Sequence, residues 1–189
     1  MTDYKPPTSN GIIGRKSTIT SEFVRSLIPT LEPSRAEYEK ALSILGQKEG
    51  QLECSYCGGG FTEWDHFQPV VQNRKPTGYI SNIQNLGPSC GKCNQSKGNK
   101  HWKVWMFGSA KLSPKTRGIK DLNLRSEKLE VYEEWGKSNK IKFEDILTDQ
   151  ELKTHWSNLE SIVVLMQEAD AHADILKAKI NNELTRSGT

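Results

Sequence analysis

All four cysteines of this 189-residue chain lie in two Cys-x-x-Cys pairs, Cys54/Cys57 and Cys90/Cys93. A tetrahedral zinc ion takes four soft or borderline ligands, and two such knuckles supply two each. Four thiolates leave no open position for water, so the chemistry expected is structural: an ion that clamps the start of a segment to its end. A redox Cys-x-x-Cys pair and chance are the competing readings; two pairs with no further cysteine favour zinc. Gly58, Gly59 and Gly60 follow the first pair and let the backbone fold around an ion.

Asp65 and His66 stand between the pairs, with Asn85 before the second pair and Asn94 after it. In isolation an Asp-His pair says little, because neighbouring strand residues point to opposite faces unless the backbone is distorted. His155 and His172 lie far from this cluster and receive no role.

The elements that must position these residues follow from pattern. Residues 1–17 read as an extended arm interrupted by Pro6, Pro7, Gly11 and Gly14. Thr20 or Ser21 caps a short helix carrying Phe23, Val24, Leu27 and Ile28. Ser34 and Glu37 form a capping box for a second helix, which buries Tyr38, Ala41, Leu42 and Leu45 and ends at Gly46. Together these two helices are expected to form a hairpin.

A strand is predicted over 61–70, broken by Pro69, then a polar loop over 71–81 and a returning strand over 83–86. The second knuckle opens a helix running through Asn94 and Lys97 to Trp102. A basic connector over 108–120 leads to a helix from Ser126 with Leu129, Tyr132 and Trp135 on one side. Thr148 and Glu151 form another capping box, starting a last helix over about 150–184. Its residues Leu152, Trp156, Leu159, Val163 and Met166 have heptad-like spacing that degrades afterwards. Packing on the same chain is the commoner cause of such a stripe, and a dimer contact is the alternative.

The net charge of +3 hides an uneven distribution. Residues 71–142 carry 15 Lys+Arg against 5 Asp+Glu, while both flanks are net acidic. A basic middle suits a polyanion-binding face, although a solvated lysine-rich surface gives the same pattern. Arg74, Lys75, Lys97 and Lys100 are the candidate phosphate contacts. Trp102 and Trp105, beside Lys100 and Lys103, suit base stacking less well than core packing. No apolar run approaches a membrane span, and the N-terminus lacks the apolar region of a signal peptide. An intracellular, cytoplasmic protein with reduced thiols is therefore expected.

The ordered set C-S-Y-C, W-D-H-F-Q-P and N-L-G-P-S-C-G-K-C-N, followed by Lys97-Gly98, resembles the HNH nucleases of the ββα-metal group. The resemblance covers about 50 residues and implies an α+β fold. A zinc-bound ββα-metal core (51–107) is expected between an N-terminal arm with helical hairpin (1–50) and a basic connector with C-terminal helices (108–189). It implies that Asp65 and Asn94 bind a catalytic divalent cation such as Mg2+, which would stabilise charge on the phosphoryl group and the leaving 3′ oxygen of a phosphodiester. It also implies that His66 is the general base, an imidazole with an ordinary pKa of about 6.5 that takes the proton of water at neutral pH, so activity is expected to fall in acid. Asn85 would hold the active-site loop and help orient His66. Many relatives have histidine where Asn94 stands, and His101 is a weaker candidate for the same duty. The function implied is a metal-dependent endonuclease acting on double-stranded DNA, with a type II restriction enzyme, working as a homodimer, preferred on size and analogy. A non-specific or homing nuclease, a non-catalytic zinc-stabilised nucleic-acid-binding module and a protein-interaction domain are the alternatives.

Overall fold

The computed structural model describes residues 5, 7–137 and 140–186. Residues 1–4 and Pro6, part of the expected arm, lie outside the described residues. The chain divides into two compact units, Met1–Phe23 with Glu144–Thr189, and Val24–Phe143. This division differs from the three consecutive regions expected, because the two ends of the chain share one unit.

In the first unit, a 3-10 turn over Ile13–Arg15 leads directly into helix α1 (Lys16–Arg25). The helix starts earlier than expected, and Thr20 is a buried interior residue rather than a cap. The Asp170 carboxylate accepts from the backbone N–H groups of Ile12 and Ile13 at 2.6 and 2.7 Å. That long-range contact satisfies donors at a helical start, where no earlier carbonyl is in reach.

The second unit begins with the end of α1 and continues into α2 (Arg35–Leu45). The expected capping box is formed: Ser34 Oγ accepts from Glu37 N, and the Glu37 carboxylate accepts from Ser34 N. Gly46 ends the helix in the left-handed conformation. Helix α1 lies mostly in the first unit and α2 in the second.

Strand β1 is confined to Glu63–His66. The segment 71–81, expected as a loop, contains a small hairpin of β2 (Val71–Gln72) and β3 (Lys75–Pro76). Asn73 and Arg74 turn it with positive φ angles of 51° and 62°, the backbone of a two-residue hairpin turn. Ile83–Asn85 is a 3-10 turn rather than a strand, and β4 follows at Leu86–Ser89. Strands β1 and β4 pair antiparallel, with Asp65 opposite Gly87 and His66 opposite Leu86.

Helix α3 (Gly91–Lys97) follows at once and completes a ββα unit. It stops at Gly98, whose φ of 51° suits a residue without Cβ, so Trp102 belongs to a separate helix, α4 (Trp102–Met106). Helix α5 spans Leu122–Gly136 and starts a turn before Ser126. Helix α6 (Asp149–Arg186) returns the chain to the first unit, and its capping box is formed by Thr148 and Glu151.

The core of the second unit gathers Ala41 and Leu45 of α2, Tyr56, Phe67, Trp102, Trp105, Leu129 and Tyr132 around the cysteines. Both tryptophans are fully buried, so packing accounts for them. Trp105 donates to Ser96 Oγ at 2.9 Å and Trp102 to Glu133 Oε2 at 3.0 Å. These bonds satisfy the indole N–H groups that burial removes from water. Tyr132 of α5 donates to the carbonyls of Ile83 and Leu86, fixing the turn into β4.

Candidate active site

The sulfur atoms of Cys54, Cys57, Cys90 and Cys93 all lie within 4.8 Å of one another. Cys57 and Cys90 Sγ are 3.8 Å apart. A tetrahedral zinc with bonds of about 2.3 Å sets its sulfur ligands about 3.8 Å apart, so the cluster fits the ion. The first knuckle closes because Cys57 N and Gly58 N both donate to Cys54 O, with Gly58 at a φ of 71°. The second closes as Cys90 caps α3, its carbonyl accepting from Cys93 N and Asn94 N. Arg117, from the basic connector, points its guanidinium at Cys93 Sγ (3.2 Å) and Cys57 Sγ (3.6 Å). A guanidinium there offsets the negative charge of a tetrathiolate. Nothing in its local sequence distinguished Arg117 from its basic neighbours.

Asp65, His66 and Asn94 line one cavity of about 270 Å³, with Arg25, Trp64 and Gly98 among the other walls. His66 is the last residue of β1, where the chain leaves the sheet, and both members of the Asp-His pair reach the same space. Asp65 is buried, and its Oδ2 accepts from Tyr56 Oη at 2.7 Å and lies 3.3 Å from Lys97 Nζ. Burial raises its pKa above the ordinary carboxylate value, against the opposing pull of Lys97 and Tyr56. The Asp65 and Asn94 side chains bring hard oxygen donors to a shared cavity, which fits a divalent cation such as Mg2+.

His66 Nε2 lies 2.6 Å from Ser81 Oγ. Burial first, then the positive charges of Arg25 and Lys97, push the imidazole pKa down to about 4, so the ring is neutral at pH 7.

Asn85 lies beneath the loop that follows His66 rather than in the cavity. Its Oδ1 accepts from Gln68 N at 2.7 Å, while Nδ2 donates to Gln68 O and Ile80 O. Its own carbonyl accepts from Phe67 N. Gln68 is held from a second side, its Nε2 donating to Glu133 Oε1 of α5 at 2.6 Å.

Lys97 does not fit the expected phosphate contact. It is 1% exposed, and its ammonium donates to His66 O and Gly98 O beside Asp65. A buried carboxylate needs a partner charge more than a solvated phosphate does. Lys100, Arg74 and Lys75 are exposed, the last two at the tip of the β2–β3 hairpin. His101 does not line the cavity; it lies 3.2 Å from Glu133 and accepts from Lys103 N at the start of α4.

Residues 54–100 match the model of the HNH endonuclease family. This segment is an HNH endonuclease domain. The HNH domain thus holds the four cysteines, Asp65, His66, Asn85 and Asn94, while Arg25, Arg117 and Glu133 come from outside it. The chain is also 33% identical over 95 residues to a CRISPR-associated endonuclease Cas9 of Corynebacterium diphtheriae. That match takes in 48% of this chain and 8% of the relative, so the chain spans a small fraction of that protein's length. No solved structure matches the chain. Among the described residues, no helix is long and apolar enough to cross a membrane.

Proposed function

We infer that this protein is a metal-dependent DNA endonuclease, and that its HNH domain hydrolyses phosphodiester bonds in double-stranded DNA. The observation that carries the reading is the convergence of Asp65, His66 and Asn94 on one cavity. A zinc-stabilised binding module gives no reason for that grouping.

In this reading His66 is the general base. In the tautomer whose Nε2–H donates to Ser81 Oγ, Nδ1 is the lone pair that takes the water's proton. The depressed pKa keeps that lone pair available at neutral pH. Asp65 and Asn94 hold the divalent cation, with Tyr56 and Lys97 fixing the carboxylate. When bound, the cation supplies stabilisation of the charge that builds on the phosphoryl and leaving 3′ oxygens. Asn85 and Glu133 hold the loop over 67–68, so that His66 is positioned from both the 3-10 turn and α5. The closed cysteine site takes zinc and ties the knuckle before β1 to the start of α3.

The finer reading is a sequence-specific type II restriction endonuclease, acting as a homodimer in which each copy cuts one strand. Its support is the basic segment over 71–142, which falls within the unit that carries the site.

Titrating Mg2+ or Mn2+ against cleavage of supercoiled plasmid tests the metal assignment. Asp65→Ala and Asn94→Ala are expected to need at least about 10-fold more cation for half-maximal cleavage, or to lose cleavage altogether. Wild-type activation curves from both variants would remove these residues from the cation site.

A further inference from the structure

The N-terminal part of α6 and its distal part carry two different apolar stripes. Met166 is buried and Val163, Leu159 and Trp156 are half-buried in the single chain. Every residue over 171–186 is exposed. Yet an apolar line continues through Ile162, Leu165, Ala169, Ala173, Leu176, Ile180 and Leu184. Its spacings of 3, 4, 4, 3, 4 and 4 form an 11-residue repeat. Such a repeat stays on one side of a nearly straight helix. Ile162, Leu165, Leu176, Ile180 and Leu184 are 36%, 66%, 45%, 59% and 54% exposed. In the single chain this line faces water, where it gains nothing from burial.

We propose that this face of α6 docks antiparallel on the same face of a second copy of this chain, with the two-fold axis at Ala173. Three features select that occupant. The line is self-complementary when reversed about Ala173: Ile162 meets Leu184, Leu165 meets Ile180, and Ala169 meets Leu176. Each pair is level to within one residue, about 1.5 Å along the axis. The small residues Ala169 and Ala173 fall at the centre, where the two helix backbones approach most closely.

The charges beside the line reverse in the same way. Glu168 meets Lys179 on one flank and Asp170 meets Lys177 on the other, each pair occurring twice by symmetry. Asp170 also accepts from Ile12 and Ile13 of its own chain, so its carboxylate is already held in place. In a parallel pair in register these partners stand eleven and seven residues apart, about 16 and 10 Å along the axis, and none of the pairs forms. A heterologous partner would have no need of that internal symmetry. The pairing stands on α6 alone, independently of the nuclease reading, and it brings that reading a second active site.

Sedimentation at micromolar concentration is expected to give twice the chain mass for the wild type. The double variant Leu176→Glu/Ile180→Glu should sediment as a monomer with an unchanged helical circular dichroism signal, because both side chains are exposed in the single chain. Geometry is tested by cysteine pairing under mild oxidation. Ala173→Cys should cross-link to itself, whereas Leu165→Cys should cross-link efficiently when mixed with Ile180→Cys and poorly alone. A monomeric wild type, a dimer that persists in the double variant, or efficient self-linking of Leu165→Cys would overturn the proposal. Plasmid cleavage run alongside keeps the two readings apart: a monomeric variant that still nicks one strand agrees with both. A dimer that cleaves nothing retains this pairing and counts against the nuclease.

Discussion

At the scale of single residues, His66 owes its readiness to its neighbours as much as to its chemistry. Ser81 takes one ring nitrogen, and burial with Arg25 and Lys97 keeps the ring neutral. Ser81→Ala releases His66 Nε2 from its hydrogen bond without emptying the cavity. It is expected to lower kcat on the order of 10-fold and leave KM nearly unchanged; steady-state kinetics on a short duplex reads both, and an unchanged kcat would detach Ser81 from the mechanism. Lys97 offers a contrast with Lys100, three residues on. Lys97→Met leaves the Asp65 carboxylate buried beside Tyr56 without its ammonium partner, at a cost of about 3 kcal/mol or more. Lys100→Met, on the exposed surface, should change stability by less than about 0.5 kcal/mol. Urea denaturation of the two variants compares them directly, and equal midpoints would contradict the buried role of Lys97. The cysteine spacing and the Asp-His pair were legible in the sequence because they are local. Arg25 and Glu133 were not, since each reaches the site or its loop only through the fold. Lys97 was misread because motif position does not reveal which face of a short helix is buried.

At the scale of elements, the two helix starts marked by a capping box were readable. Ser34 and Thr148 marked α2 and α6 through their capping boxes. Helix α5 starts at Leu122 after Asp121, which makes no capping hydrogen bond, and the first strong apolar position lies further along. The β2–β3 hairpin was hidden because Asn73-Arg74 lacks the glycine that usually marks such a turn. The second strand was placed too early because Ile83 and Leu86 share their apolar character while Asn85 holds the segment in a 3-10 turn. These elements have little sheet of their own, with β1 and β4 four residues each. Zinc is therefore expected to carry much of the ordering between β1 and α3. Stripping the protein with a strong chelator and returning Mg2+ alone should leave it inactive, with a thermal midpoint lowered by about 10 °C or more. Full activity after return of Mg2+ without zinc would show that the cysteine cluster is not a structural zinc site.

At the scale of the whole molecule, the basic segment over 71–142 and the HNH domain fall in one unit, while the acidic C-terminal segment belongs to the other. This separates work as well as charge: one unit carries the groups proposed to cut, and the other carries the helix proposed to pair two copies. The early heptad-like stripe of α6 is half-buried or buried in the single chain, whereas the later 11-residue repeat escaped a reading tuned to heptads. The central claim remains that the cavity of Asp65, His66 and Asn94 is where DNA is cut. The most direct measurement is cleavage of supercoiled plasmid in Mg2+ by the wild type and by His66→Ala, with zinc content and DNA affinity measured on the same preparations. The wild type should cut and stop cutting when the cation is chelated. His66→Ala should bind DNA and zinc as the wild type does yet cut at least about 100-fold more slowly. Cleavage by His66→Ala within a few-fold of the wild-type rate would contradict the account.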